Sequence, residues 1–215
     1  AVTDGESFKV TQNLFETLVN FGAQDTTINP GLAKKWDASE DGLTYTFELE
    51  EGVKFHDGTD FNAEAVVANF DRWANGSGED FYYYSSMFGG YKEDEGHVIE
   101  SVTADGDYTV VFKLKRPQAP FLKNLAMSPF GIASPAAIEK SGDKFGDNPV
   151  GTGPFKFVEW KRNDSITIEK NEDYWVEDLP KLDRVVFRAI PDNSARLNAL
   201  NAGEIDLADG VNPAD

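Results

Sequence analysis

Cysteine is absent from the 215 residues. Its absence removes thiol catalysis, thiolate metal sites and disulfides together, and it suits an exported chain without internal disulfides. Histidine occurs only twice, at His56 and His97. A zinc site needs several ligands, and these two lie far apart in sequence. No apolar run approaches the ~20 residues of a membrane helix. The opening Ala-Val-Thr-Asp has neither the basic start nor the apolar core of a signal peptide, the pattern expected of a mature or trimmed chain. Basic residues are outnumbered, 20 against 38 acidic ones, for a net charge of -18. Such a surface repels phosphates and anionic lipid, so neither nucleic acid nor electrostatic membrane docking is expected. The excess acid reads as a solubilising surface.

What the chain does have is apolar and aromatic mass: 40% hydrophobic residues, with 16 Phe, 7 Tyr and 4 Trp. That composition belongs to a globular chain, long enough for one large domain or two small ones. Apolar residues at Phe8, Leu14, Phe15, Leu18 and Val19 predict a helix over 8–20, with Ser7 as its cap and Gly22 as its stop. Leu43, Tyr45, Phe47 and Leu49 alternate with Thr44, Thr46 and Glu48, a half-buried strand paired through Asp41-Gly42 to an earlier strand over 33–37. Asn62 is placed to cap a helix carrying Val66, Phe70 and Trp73 on one face. Residues 75–96 read as loop, and 102–114 as a second hairpin turning at Asp105-Gly106. Short helices are expected at 119–126 and 135–141, with a boundary in the Gly, Asp, Asn and Pro of 142–154. Beyond it the pattern predicts strands at 155–160, 165–170 and 184–190, a helix over 194–202 capped by Asp192 or Asn193, and a short strand at 205–207. The fold class is α/β in the mixed α+β sense, with antiparallel hairpins and a strand-helix-strand unit at the end.

Candidate chemistry is thin. His56 sits beside Asp57-Gly58, a turn signal, and the sequence holds no G-x-S-x-G elbow. A surface or turn histidine is the stronger reading. Gly151-Thr152-Gly153-Pro154 lacks the Lys-Ser/Thr of a phosphate loop and is followed by Phe155-Lys156-Phe157, a strand. It reads as a crossover where glycines permit close backbone approach. The acidic clusters at 57–60, 93–95 and 143–147 match no calcium loop and read as solvated acid. The run Phe81-Tyr82-Tyr83-Tyr84 is open between two uses: at least one ring lining a pocket or interface, or packing of the loop on its own domain.

Two long stretches carry a resemblance. The first, residues 30–73, is "PGLAKKWDASEDGLTYTFELEEGVKFHDGTDFNAEAVVANFDRW"; the second, residues 150–175, is "VGTGPFKFVEWKRNDSITIEKNEDYW", continued by "LDRVVFRAIPDNSARLNALNAGEIDL" at 182–207. Trp36, Tyr45-x-Phe47-x-Leu49 and Gly52-Val53-x-Phe55-x-Asp57-Gly58 are similar to the signature of extracytoplasmic solute-binding proteins, family 5, which serve peptide and nickel ABC importers. Ala65 departs from that signature, which has an acid there and so a carboxylate near the helix cap. The resemblance implies a periplasmic-binding-protein type 2-like first lobe, formed by residues 1–30 and 151–215, with an antiparallel β-rich domain inserted at 31–150. Family members run to roughly twice this length and close two lobes about a hinge; the second lobe is absent, so an N-terminal fragment is expected.

By the same resemblance the His56-Asp57-Gly58 stretch is a structural turn, and the longer parent is not an enzyme and needs no cofactor or metal. It captures a small solute, most commonly a peptide, outside the membrane and presents it to a membrane ABC permease; sugars and nickel chelates are the alternative solutes. It is expected to be extracytoplasmic, either lipid-anchored or free, and monomeric. Three segments are implied to face the ligand: Thr3, Asp4, Gly5 and Glu6; Tyr83 and Tyr84; and Asp209, Gly210 and Val211. Asp4 and Glu6 equally suit simple capping near a helix N-terminus. Two competing classes remain: a hydrolase pairing His56 with an Asp or Glu, and an interaction module built on the aromatic loop 81–84.

Overall fold

The computed structural model describes residues 5–210. Its main sheet grows from the alternation in sequence. Strands β3 (Ala33–Ala38), β4 (Thr44–Leu49), β5 (Ile99–Ala104) and β6 (Thr109–Leu114) pair antiparallel in the order β3-β4-β6-β5. Gly42 (φ 67°) and Gly106 (φ 78°) make the two hairpin turns, a left-handed conformation that costs a glycine little. The alternation places Phe47, Leu49, Val110, Phe112 and Leu114 on the buried face.

Helix α2 (Ala63–Ala74) lies on that face, led by Asn62, whose side chain accepts from Ala65 N at 3.0 Å. It buries Val66, Phe70 and Trp73, and Phe70 meets Phe112 edge to face at 4.8 Å. Asn69, buried in the same helix, gives its amide to Ala65 O and Ala133 O and accepts from Ala133 N. Both ends of a buried amide are thereby satisfied, and the segment ahead of α5 (Pro135–Ser141) is tied to α2. Helix α4 (Phe121–Leu125) and a 3₁₀ turn at Ser128–Phe130 close the end of this core with Phe121 and Phe130.

A second, smaller sheet has the order β7 (Phe155–Lys161), β8 (Ser165–Lys170), β9 (Arg184–Arg188). Phe157, Ile168 and Val185 align across it. Val10 of helix α1 (Gly5–Thr11) and Leu14 pack onto it with Phe155 and Ile168 as a separate apolar cluster. A two-stranded ribbon, β1 (Val19–Phe21) with β2 (Ile28–Pro30), joins this part to the main sheet.

Three local expectations change. The helix predicted over 8–20 runs only over Gly5–Thr11, and residues 13–18 are non-helical. Their carbonyls are taken by distant partners: Asn13 by Phe155 N, Leu14 by Gly153 N, Glu16 by Ile132 N, Thr17 by Leu32 N and Leu18 by Ala33 N, at 2.9–3.1 Å. Buried on several sides, a non-helical segment shows the same apolar spacing as a helix. The loop of 75–96 contains helix α3 (Tyr82–Phe88), set by burial of Tyr84 and Phe88 one turn apart and ended by Gly89 (φ 76°). Three adjacent tyrosines are mediocre helix formers, so packing decides against propensity. The strand at 205–207 does not form among the described residues: no strand pairs with it, and Leu207 is 80% exposed. Helix α6 (Asn193–Asn201) does form, capped by Asp192, which accepts from Ala195 N at 2.7 Å.

Candidate functional site

Helix α1 brings the three sequence-predicted segments together. Lys9 reaches back to Glu6 Oε1 at 2.8 Å and across to the carboxylate of Asp209. Asp209 is held below the usual carboxylate range chiefly by the hydrogen bond from Lys9, and the Lys9 ammonium is raised by the same bond. Gly210 is tied in turn: its carbonyl accepts from Arg196 Nη2 at 2.9 Å, while Arg196 Nη1 donates to Ile190 O at 2.7 Å. Next to Lys9, Phe8 turns toward α3 and meets Tyr83 edge to face at 5.6 Å. Together with Phe21, Ala126, Met127, Ser128 and Pro129 they line a groove of about 300 Å³ with no charged group in its wall.

Gly5 opens α1, and Glu6 lies in its first turn, where a carboxylate also complements the helix dipole. Thr3, Asp4 and Val211 lie outside the described residues. Of the two tyrosines, Tyr83 lines the groove, whereas Tyr84 is 2% exposed and bonds His97 Nε2 through its hydroxyl at 2.9 Å. Tyr82 is the ring of this run that faces outward, at 53% exposure.

The glycine crossover is built as its sequence suggests. A Cβ on Gly151 would stand 2.1 Å from Leu14 O, and one on Gly153 would stand 2.6 Å from Asn13 O. Residues 13–14 and 151–153 therefore touch backbone to backbone. His56 sits at the expected turn but is not a surface residue. It is half-buried against this crossover: Nε2 donates to Gly153 O at 2.9 Å, and Nδ1 accepts from Gly151 N at 3.3 Å. Burial pushes its pKa down to about 4, only partly opposed by the bond to Gly153. Both ring nitrogens are engaged with backbone, and Asp57 beside it accepts from Ser134 and Thr59. The pairing a His-acid hydrolase requires is not made here.

Glu16 is the residue the sequence reading missed. Its carboxylate, mostly removed from water, accepts from Thr152 Oγ1 (2.8 Å), Tyr174 Oη (2.7 Å) and Trp175 Nε1 (3.0 Å). Burial raises its pKa against the lowering effect of these donors. Tyr174 is pushed well above the usual phenol range, by burial first and then by the Glu16 charge. One signal was present: a lone acid inside the apolar stretch Leu14 to Val19. Its partners lie 136–159 residues away, beyond the reach of any local pattern. Among the described residues no three His, Asp or Glu side chains converge as metal ligands.

Comparison with known proteins adds the family context. The family model for bacterial extracellular solute-binding proteins, family 5, matches residues 27–215. The glutathione-binding protein GsiB of Pectobacterium atrosepticum is 40% identical over 205 residues, covering 95% of this chain and 38% of that protein. The dipeptide-binding protein of Escherichia coli K12 is 39% identical over 217 residues, covering 94% and 40% respectively. The chain thus spans about two-fifths of the length of these relatives. Among solved structures, the periplasmic binding protein DppA of Helicobacter pylori, in complex with the peptide STSA, superposes with a TM-score of 0.83 at 41% identity, covering 95% of this chain and 42% of that one.

Proposed function

We propose, for a chain that belongs to the bacterial extracellular solute-binding proteins of family 5, the role of peptide capture outside the cytoplasmic membrane for delivery to an ABC permease. The chain supplies one side of the binding cleft and makes or breaks no bond. The observation that carries this reading is the convergence on α1. Glu6, Lys9 and Asp209 form a charged cluster on one flank, and Phe8 with Tyr83 opens an apolar groove on the other. Charged groups beside an apolar groove suit a ligand that carries both main-chain polarity and side chains. The names of the relatives, glutathione-binding and dipeptide-binding, point to the same ligand class.

Residues 1–30 and 151–215 act as one lobe, and 31–150 as a domain inserted in it. Support comes from the two apolar clusters, one around Phe47, Phe70 and Phe112, which also takes in Leu18 and Val19, and the other around Val10, Leu14, Phe155 and Ile168. Gly5, Glu6, Tyr83, Asp209 and Gly210 contribute the contacts to ligand, with Thr3, Asp4 and Val211 in the same two segments. Tyr84 acts from the core by holding α3 in place. The protein works as a monomer.

Native mass spectrometry of the purified chain, incubated with a mixture of di-, tri- and tetrapeptides and with a set of sugars, tests the reading. Adducts at peptide masses are expected. Adducts with sugars alone, or none at millimolar peptide, would overturn it.

A further inference from the structure

The groove beside α1 has an uncharged lining. Phe8, Phe21 and Tyr83 line it together with Ala126, Met127, Ser128 and Pro129. In a chain of net charge -18, none of these carries a charge. Phe21 is left 39% exposed at the end of a two-stranded ribbon, so its ring has unused contact area. Met127 in the same lining adds a flexible, polarizable surface suited to side chains of differing shape. The volume, about 300 Å³, lies at the lower bound of the ~300–1,000 Å³ of small-ligand clefts. It admits a side chain rather than a whole oligopeptide. Phe8, which lines the groove, precedes Lys9 in the chain, and Lys9 holds Glu6 and Asp209. The charged cluster therefore lies on the adjoining face of the same helix.

Resting on the peptide reading above, we infer that this groove takes one aliphatic or thioether side chain of a short peptide, while the polar main chain lies toward Glu6, Lys9 and Asp209, so that apolar peptides are bound in preference to polar ones such as glutathione. The specificity arises by desolvation. An apolar side chain removes water from the rings at no polar cost, whereas a hydroxyl or carboxylate placed there would lose its water and find little to replace it.

The sequence provides its own probe, since Met87 and Met127 are the two methionines. Both pack against the main core, and of the two Met127 also lines the groove. Methyl-labelled methionine gives two NMR signals, one reporting the groove and one serving as internal control. The full chain is titrated with Met-Leu, with Ser-Thr-Ser-Ala and with glutathione. The expected result is a shift of Met127 but not Met87, saturating with Met-Leu at a concentration at least about tenfold lower than with the other two. Phe21→Glu and Ser128→Asp, both at exposed positions, should each weaken Met-Leu by about tenfold by placing a carboxylate at the groove. The two positions also guard against one variant failing to fold.

Equal affinity for the three ligands, or binding that leaves Met127 unmoved, would overturn the inference and leave peptide capture standing. Movement of Met127 with protein concentration alone would make a second copy the occupant and overturn it as well. No binding of any peptide would remove both.

Discussion

Acid should loosen this protein at one identifiable point, the contact of His56 with the glycine crossover. The neutral ring donates from Nε2 to Gly153 O and accepts at Nδ1 from Gly151 N. Protonation would place a second N–H against the Gly151 amide and a charge in a half-buried site. The pKa is accordingly about 4, against 6.5 for an unperturbed histidine. Because the unfolded chain binds the proton more readily, the contribution of His56 is complete above pH 6.5 and is lost as pH falls toward 4. Near pH 5 the loss amounts to about 2 kcal/mol as an upper bound, since water reaching the exposed part of the ring screens part of it.

The assay is urea denaturation of the wild type and of His56→Gln at a series of pH values from 7.5 to 4.5. The many carboxylates titrate in both proteins, so the difference between the two isolates the imidazole. His56→Gln should cost most at pH 7.5, and its penalty should shrink by about 1–2 kcal/mol toward pH 5. A penalty constant across the series would refute the reasoning, because it would mean that His56 binds a proton equally well folded and unfolded.

Gly151→Ala places a Cβ 2.1 Å from Leu14 O, a backbone atom that cannot swing away. A loss of about 3 kcal/mol or more is expected in urea denaturation, whereas Gly146→Ala, which meets nothing within 4 Å, should stay within about 0.5 kcal/mol. Glu16→Leu leaves the Thr152 hydroxyl, the Tyr174 hydroxyl and the Trp175 indole without their acceptor. It should cost about 2–4 kcal/mol, while Tyr174→Phe, which removes one donor, should cost about 1–2. The net charge of -18 repels itself, so raising sodium chloride from 0.05 to 1 M should raise the thermal midpoint by a few degrees. An unchanged or lower midpoint would mean that local ion pairs, such as Lys34 with Glu48, outweigh the long-range repulsion.

Much of the fold was legible because its causes are local. The alternation of Tyr45, Phe47 and Leu49 and the Asp41-Gly42 turn specify a hairpin within about a dozen residues. Asn62 needs only Ala65 N, three residues on, to act as a cap. The Asp192 cap on α6 is of the same kind. Where a partner strand or neighbour decides, local pattern failed. Residues 13–18 carry helical spacing yet bond to segments near 32, 132 and 153. Residues 205–207 carry strand character yet have no strand to pair with among the described residues. Tyr82, Tyr83 and Tyr84 look alike in sequence, but one faces solvent, one lines the groove and one is in the core, because a helix rotates successive side chains by about 100°.

The candidate site divides in the same way. The sequence by itself determined the family, the two hairpins, the Asn62 cap and the need for glycine at 151 and 153, since each rests on residue identity over a short span, whereas Ser7, expected as a cap, lies inside α1. Only the tertiary structure decided that Glu6 and Asp209 meet through Lys9, that Phe8 faces Tyr83, that Glu16 is ringed by donors from 152, 174 and 175, and that His56 is a half-buried clamp. Hydrogen bonds and ring contacts act over a few ångströms of space, and nothing in the chain order near Glu16 or His56 encodes which distant backbone will arrive within that distance.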